Sequence, residues 1–263
     1  AHLIAEEAKW LAAEKVDLIL GDIPPLAGAL QAASGLPVWG MSNFGWDFIY
    51  AEMGEAFADL VPWSRHFYGQ YSGVFRLPFA EAMSSFSSVI ETSLVVNQPR
   101  FDREQMRERL NISPDQKMAL MTFGGLGLGG FPTERVREHP EWLFVTTDAS
   151  APDLVNLLKV PSGQWRMIEL LTAADLALIK PGYSTVAECC ALGIPTVCLT
   201  RPGFAEAELL IEGIRQSLPH QILNGAEFFF EPWSFLENLG DFGKPISATG
   251  AYEVAVHLLE ILN

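Results

Sequence analysis

Positive charge and long apolar segments are both scarce in this sequence. It has 17 Lys and Arg residues against 32 Asp and Glu residues, a formal net charge of -15 at pH 7. This excess of negative charge argues against nucleic acid and anionic membrane surfaces as partners, because both are polyanions. No apolar run reaches the ~18 residues that a membrane span requires, so we predict no transmembrane segment. The hydrophobic fraction of 49% indicates a packed globular protein instead.

Cysteine is also rare. The three cysteines, Cys189, Cys190 and Cys198, form no Cys-x-x-Cys pair, which argues against a zinc site. Their position in one apolar stretch predicts buried free thiols, which are typical of a reducing compartment. We therefore expect a cytoplasmic protein.

Short apolar segments alternate with helical patterns, which predicts an α/β fold with parallel strands. Strands are predicted at 16–20, 36–41, 74–78, 89–96, 118–123, 142–146, 176–179 and 196–199. Helices are predicted at 2–15, 27–33, 167–171 and 251–262, with a charged surface helix at 102–110.

The length suits two small domains, and Asn-Gln-Pro-Arg at 97–100 is the best candidate linker. We predict an acceptor-side domain at 1–96 and a second domain at 97–263 that ends in a closing helix. The chain opens inside the first predicted helix, with no strand before it. We therefore expect the first domain to lack an N-terminal portion in this sequence.

Residues 173–200 read as strand, tight turn, helix, tight turn and strand. Gly182 in the first turn allows close approach of a ligand to the backbone, and Ser184 or Thr185 can cap the helix. Helix N-termini beside the carboxyl ends of strands bind anions, because free N–H groups and the helix dipole converge there. The candidate ligands of a diphosphate and its ribose are Lys180, Gly182, Ser184, Thr185 and Glu188.

Two further patches also follow predicted strands. One is the glycine run at 124–130, in which the N–H groups of Gly124 and Gly125 are candidates for a diphosphate. The other contains Arg201, Glu206 and Glu208, whose carboxylates are candidates for sugar hydroxyls. All the patches fall at the carboxyl ends of strands, where open α/β sheets bind ligands.

The glycine run also permits another interpretation. Gly125, Gly127 and Gly130 match the Gly-x-Gly-x-x-Gly pattern, and Asp148 follows the next strand, where a dinucleotide fold places its ribose carboxylate. Phe-Pro at 131–132 interrupts the point where the helix of that motif begins. An NAD-dependent Rossmann enzyme is therefore kept as an alternative.

Several stretches carry a resemblance to a known family. Ala-Asp at 174–175, the segment 180–188 and Ala-Leu-Gly-Ile-Pro at 191–195 resemble the nucleotide-sugar motif of the GT-B glycosyltransferases. The likeness includes the UDP-glycosyltransferases and the bacterial enzymes that transfer N-acetylglucosamine in peptidoglycan synthesis. A closer likeness is to the glycosyltransferase-like N-terminal half of plant L-arabinokinases, through Ser-Asn-Phe-Gly-Trp-Asp-Phe-Ile-Tyr-Ala-Glu at 42–52.

The resemblance implies two Rossmann-like domains, one binding a UDP sugar and the other an unknown acceptor. It implies an inverting, metal-independent transfer without a cofactor, since the UDP sugar is a donor substrate and no Asp-x-Asp motif is present. By the same resemblance, the diphosphate faces Ser184 and Thr185, the ribose faces Glu188, the base faces Trp165 to Met167, and the sugar faces Glu206 and Glu208.

The sequence departs from the family at one point. The family opens with a strand and a glycine-rich loop whose His is often the acceptor-side base, and no segment here matches it. Catalytic residues therefore stay unassigned. A non-catalytic nucleotide-sugar-binding regulatory domain is accordingly an alternative to a glycosyltransferase.

Overall fold

The computed structural model describes residues 2–123 and 130–262, and it confirms the predicted α/β fold. The first elements are α1 (His2–Ala13), β1 (Ile19–Gly21), α2 (Leu26–Ser34), β2 (Val38–Ser42), α3 (Trp46–Glu52), α4 (Leu60–Tyr68), β3 (Gly73–Arg76), β4 (Val89–Glu91) and α5 (Arg103–Arg109). The later elements are β5 (Lys117–Thr122), α6 (Thr133–Arg137), β6 (Trp142–Thr146), β7 (Leu157–Lys159), α7 (Met167–Ala173), β8 (Leu176–Ile179), α8 (Tyr183–Leu192), β9 (Thr196–Leu199), α9 (Glu206–Ser217), β10 (His220–Leu223), α10 (Gly225–Phe230), α11 (Phe235–Asn238) and α12 (Gly250–Leu262).

The chain divides into two compact units. The first unit runs up to Val95 and also includes Pro202–Leu209 and the C-terminal segment that begins at Ser247. The second unit consists of Val96–Arg201 and Leu210–Ile246. The sequence analysis assigned residues 202–209 and the helix α12 to the second domain, whereas both pack within the first unit.

The first unit contains a parallel sheet in the order β1-β2-β3-β4. Its strands alternate between two buried faces, as expected for a sheet covered on both sides. Val38 and Val74 pack with Tyr68 on one face, whereas Trp39 and Phe75 pack with Val254 of α12 on the other. The apolar stripe of α12 is therefore what places this C-terminal helix in the first unit.

The second unit contains a six-stranded parallel sheet in the order β10-β9-β8-β5-β6-β7. Starting from β7, this is the 3-2-1-4-5-6 order of the Rossmann fold. The chain reverses its direction of winding between β5 and β8, and such a switch point opens a crevice at the carboxyl ends of the strands. The strands predicted at 142–146 and 176–179 are observed with the same bounds.

Three predicted elements need correction. The strand predicted at 89–96 ends at Glu91, which lies on the edge strand β4 and forms an ion pair with Arg76. The helix α8 begins at Tyr183, so neither Ser184 nor Thr185 is its N-cap. The charged helix α5 is not wholly on the surface, because Arg107 is buried and donates to the carbonyls of Pro114 and Gln116.

Candidate functional site

The second unit places several predicted site residues at the switch point of its sheet. β5 and β8 are neighbours that end at Thr122 and Ile179, so residue 123 and Lys180 begin the loops on either side of the crevice. Because each helix follows the carboxyl end of a parallel strand, α7 and α8 both begin at this edge. The N-termini of α7 and α8 therefore lie at this edge.

The N-terminus of α8 has no side-chain cap. Gly182 is the N-cap residue and adopts an extended conformation (φ -128°, ψ 132°) without a side-chain hydrogen bond to the helix. Val186 donates the first intrahelical hydrogen bond, to the carbonyl of Gly182 at 3.1 Å. Ser184 and Thr185 therefore lie in the first turn, where their backbone N–H groups and hydroxyls are near the positive end of the helix dipole.

Two cationic side chains lie close together at the same edge. Lys180 follows β8, and Arg201 comes two residues after the neighbouring strand β9. Burial lowers the pKa of Lys180, and the positive charge of Arg201 lowers it further. Two mutually repelling cations in a chain of net charge -15 are an arrangement that a bound anion would stabilise.

Glu188 is a buried acid in the second turn of α8. Its side chain is 7% exposed, and Oε2 has no hydrogen-bond partner among the described residues. Burial raises the pKa of Glu188 to about 7, against the lowering effect of the charge on Arg166. An unpaired buried carboxylate oxygen is costly, and a ligand hydroxyl that donates to it would relieve that cost.

The N-terminus of α7 is held by an ion-pair cluster around one buried carboxylate. Glu169 is fully buried and accepts hydrogen bonds from Arg100 Nε at 2.5 Å and Arg166 Nε at 3.0 Å. Hydrogen bonds from Arg100, followed by those from Arg166, lower the pKa of Glu169 to about 2. Arg166 also donates to the carbonyl of Gln98 at 3.0 Å. These contacts position the segment 165–167, which the resemblance assigns to the uracil base of the nucleotide.

No protein-family model matches the chain. It is 29% identical to "L-arabinokinase" of Arabidopsis thaliana over 219 residues, which is 80% of this chain and 21% of the plant protein. It is 30% identical over 160 residues to the UDP-N-acetylglucosamine--N-acetylmuramyl-(pentapeptide) pyrophosphoryl-undecaprenol N-acetylglucosamine transferase of Desulforudis audaxviator, covering 51% of this chain and 43% of that protein. The chain thus spans less than half the length of either relative.

Solved structures match the chain over nearly all of its length. A putative UDP-N-acetylglucosamine 2-epimerase from Listeria monocytogenes has a TM-score of 0.66 at 14% identity, covering 98% of this chain and 77% of its own. MurG from Acinetobacter baumannii has a TM-score of 0.57 at 15% identity, covering 96% and 76%. The chain has the GT-B fold. The predicted resemblance to GT-B glycosyltransferases is confirmed.

Of the glycine run at 124–130, the structure describes only Gly130. Gly124, Gly125 and Gly127 lie outside the described residues. Asp148, the other residue of the dinucleotide alternative, accepts hydrogen bonds from both the N–H and the hydroxyl of Ser150, at 2.8 and 2.6 Å. The helix that follows the glycines, α6, has five residues and begins only at Thr133. Neither feature favours the dinucleotide alternative.

The remaining predicted residues of the GT-B chain are divided between its units. Met167 is the first residue of α7, and Arg201 ends the first segment of the second unit. Glu206 and Glu208 lie in the first unit, at the start of α9. Glu206 is buried and accepts a hydrogen bond from Asn43, whereas Glu208 is exposed.

Sequence reasoning missed two polar residues of the first unit, and it did not predict the ion pairs of Arg166, a residue of the segment 165–167 already assigned to the nucleotide base. Asp47 and Glu81 lie near the carboxyl ends of β2 and β3, and Arg166 makes ion pairs from the start of α7. Asp47 lies among aromatic residues with a helical period, a pattern that favours core packing, with the wall of an acceptor site as the alternative. The sequence signal that could have identified Asp47 and Glu81 is their position shortly after a predicted strand.

Residues 2–123 and 130–262 contain neither a candidate metal site nor a candidate membrane span. Among them, no group of three or more His, Cys, Asp or Glu side chains is arranged to hold a metal ion. None of the described helices has both the length and the apolar character needed to cross a bilayer.

Proposed function

We propose that this chain binds a UDP sugar through the second unit and transfers the sugar to an acceptor held by the first unit. Glu188 carries the proposal: its Oε2 atom is buried without a hydrogen-bond partner among the described residues, in the second turn of α8, the helix that follows β8 at the switch point of a Rossmann sheet. Ribose hydroxyls would donate to Glu188, and the diphosphate would lie against α8 near Lys180 and Arg201. The GT-B fold and the transferase relative support sugar transfer.

The donor nucleotide is proposed on two grounds. The bacterial relative and the Listeria structure both carry UDP-N-acetylglucosamine in their names. The site residues provide the groups that a nucleoside diphosphate needs, namely cations, helix N–H groups and a carboxylate.

The proposed reaction is an inverting displacement. An acceptor oxygen attacks the anomeric carbon, the bond from that carbon to the diphosphate oxygen breaks, and the acceptor proton passes to a base that is not assigned. The leaving UDP gains negative charge as the bond breaks. The first-turn N–H groups of α8, with Lys180 and Arg201, would stabilise this charge without a metal ion.

A non-catalytic nucleotide-sugar-binding domain is the second candidate. The histidines of the chain already have other contacts: His2 with Glu6, His66 with Gln70, His139 with Glu141, His220 with the Leu218 carbonyl, and His257 with the rings of Trp39 and Phe75. Within residues 2–123 and 130–262, no histidine is hydrogen-bonded to an aspartate, the usual way of orienting a histidine base. For both candidate functions we propose a reducing cytoplasm as the location, because the three cysteines are free and buried.

Calorimetric titration with UDP tests the donor site. We expect UDP to bind the wild-type chain and to bind Glu188→Gln more weakly, whereas Glu231→Gln, an exposed acid of the same unit, should match the wild type. Absence of UDP binding would contradict both candidates. Release of UDP from a UDP sugar with an acceptor panel distinguishes them, because the regulatory domain would bind UDP without turnover.

A further inference from the structure

The first unit carries a continuous series of aromatic rings at the end of β2, here called the aromatic ladder. Successive ring centroids along Phe204, Phe44, Trp46, Tyr50 and Phe57 lie 6.3, 5.5, 5.6 and 5.9 Å apart. All five side chains are half-buried. The ladder therefore presents a partly solvent-accessible apolar surface at the carboxyl edge of the first sheet, where α/β folds bind ligands.

Two carboxylates lie beside the middle of the ladder. Glu81 accepts hydrogen bonds from the N–H of Gly45 at 3.1 Å and of Met83 at 2.7 Å. Asp47 is 5% exposed, and its Oδ1 atom is buried without a hydrogen-bond partner among the described residues. A Cβ atom on Gly45 would overlap Asp47 Oδ1 and would lie 3.4 Å from Glu81 Oε1. The two oxygens therefore border one small volume next to Trp46.

A third carboxylate lies at the other end of the ladder. Glu206 is two residues from Phe204 and accepts a hydrogen bond from Asn43 Nδ2 at 3.1 Å. Both partners of this bond are buried. Hydrogen-bond acceptors thus lie beside the ladder at two places.

The cations near these acceptors are already engaged. Arg65 Nε pairs with Asp47 Oδ2 at 3.2 Å. Arg76 pairs with Glu91 and donates to the carbonyls of Glu81 and Ala82, each at 3.3 Å. An anionic group bound here would find both of these arginines already paired with carboxylates, so it would gain little from either positive charge.

The carboxylates are also poorly suited to act as counter-ions for a cationic ligand. Asp47 has Arg65 as its counter-ion, and burial raises the pKa of Glu81. A hydroxyl group can donate to an ionised carboxylate and accept from a protonated one. These groups therefore fit uncharged hydroxyls better than charged ligands.

The loops around the ladder are held in costly backbone conformations. Ile23, Phe79 and Met83 have positive φ angles of 46°, 61° and 55°, and they follow the carboxyl ends of β1 and β3. For a β-branched residue such as Ile23 this conformation is a genuine outlier. Tyr68 donates a hydrogen bond to the Ile23 carbonyl at 3.0 Å. Strain of this kind is typical of preorganised binding sites.

We infer that the aromatic ladder and its carboxylates form a binding site for an uncharged polyhydroxylated molecule, a neutral sugar, as the acceptor. The inference rests on the proposed function and specifies its acceptor. The apolar C–H face of a sugar ring packs on the rings of Trp46 and Tyr50, and its hydroxyls bond to Glu81 and Glu206. Because Glu206 lies in the first unit, it is assigned here to the acceptor rather than to the donor sugar. An acceptor that bears a phosphate fits poorly, because Arg65 and Arg76 are already paired with carboxylates.

Saturation-transfer NMR on the whole chain tests this site with neutral pentoses, hexoses and cellobiose as probes. Glucose 6-phosphate and glucosamine serve as the charged probes. We expect neutral sugars to bind at least tenfold more tightly than glucose 6-phosphate. Trp46→Leu should weaken that binding roughly tenfold through loss of ring stacking. Trp10→Leu is the matched control, because Trp10 is 56% exposed on α1, outside the ladder.

A circular dichroism spectrum identifies a Trp46→Leu protein that fails to fold, in which case Tyr50→Leu provides the same test. Binding of charged probes alone, or of none of the neutral sugars, would overturn the inference. Equal loss of sugar affinity in the Trp10 variant would also overturn it. UDP titrated into the same sample separates the two proposals: UDP binding without sugar binding contradicts the acceptor class alone, whereas absent UDP binding contradicts the proposed function.

Discussion

Asn43 donates a hydrogen bond to Glu206 across 163 positions of sequence, with a nitrogen-to-oxygen distance of 3.1 Å. The two side chains are only 3% and 6% exposed. Asn43 follows β2, and Glu206 is the first residue of α9. The bond thus ties the segment Pro202–Leu209 to the sheet of the first unit.

Asn43→Ala is expected to destabilise the protein by about 2 kcal/mol, because it removes a hydrogen bond to a buried carboxylate. Asn43→Asp should cost more, since it places a second carboxyl group beside Glu206. The free energy of unfolding in urea measures both effects. Asn238→Ala, which removes an exposed amide, should change the free energy of unfolding little. An equal loss in both variants would show that the hydrogen bond from Asn43 to Glu206 stabilises the protein no more than an exposed amide does.

UDP affinity is expected to rise between pH 5 and pH 8 because Glu188 must be ionised to accept two ribose hydroxyls. Its pKa of about 7 in the folded protein lies within this range. Glu188→Gln should lose about 2 kcal/mol of binding, roughly thirtyfold in Kd. UDP titrates in the same range, so the informative quantity is the difference in pH profile between the two proteins. Identical profiles would rule out contact between Glu188 and the nucleotide.

The Glu188 carboxyl group should also affect the stability of the protein in the absence of nucleotide. The pKa of Glu188 is raised above its ordinary value of 4.5, so folding favours the protonated form. Its contribution to stability is fully present below pH 4.5 and is lost as the pH rises through about 7. We therefore expect Glu188→Gln to be more stable than the wild type at pH 8. Thermal unfolding at pH 5 and pH 8 measures this; a variant less stable at pH 8 would contradict it.

Lys180→Ala should weaken UDP binding about tenfold and leave uridine binding unchanged, because Lys180 is proposed to meet only the diphosphate. The wild-type affinity for UDP should also fall with ionic strength, as expected of phosphate contacts. Isothermal titration with both ligands gives the comparison. Lys244→Ala is the control, since Lys244 is an exposed lysine of the same unit. A similar loss of affinity for uridine would show that Lys180 does not act through the diphosphate.

Glu169→Gln is expected to destabilise the protein by about 2 kcal/mol, because it removes charge-assisted hydrogen bonds from Arg100 and Arg166 to a buried carboxylate. The pKa of Glu169 is lowered from 4.5 to about 2, so its stabilisation is present above pH 4.5 and is lost as the pH falls towards 2. Acid unfolding followed by circular dichroism should show a shallower pH dependence in the variant. Glu237→Gln, an exposed change in α11, should unfold like the wild type.

Local patterns in the sequence predicted much of the second unit. The strands 142–146 and 176–179 were found with their exact bounds, because continuous apolar runs between turn residues are typical of strands buried on both faces. The position of Lys180 and Glu188 after such a strand also followed from the sequence. The helix cap did not: Gly182 takes the extended N-cap conformation, so the helix begins before Ser184.

What the sequence determined by itself is the α/β alternation and the strand-end position of the candidate ligands, since both depend on neighbouring residues. Only the tertiary structure decided that Arg107 is buried, that Glu188 Oε2 has no hydrogen-bond partner in the described part of the chain, and that α12 covers the first sheet. The Asn43–Glu206 bond shows the physical reason. Its partners are 163 residues apart, and a contact between distant segments leaves no periodicity or local spacing in the sequence from which it can be inferred.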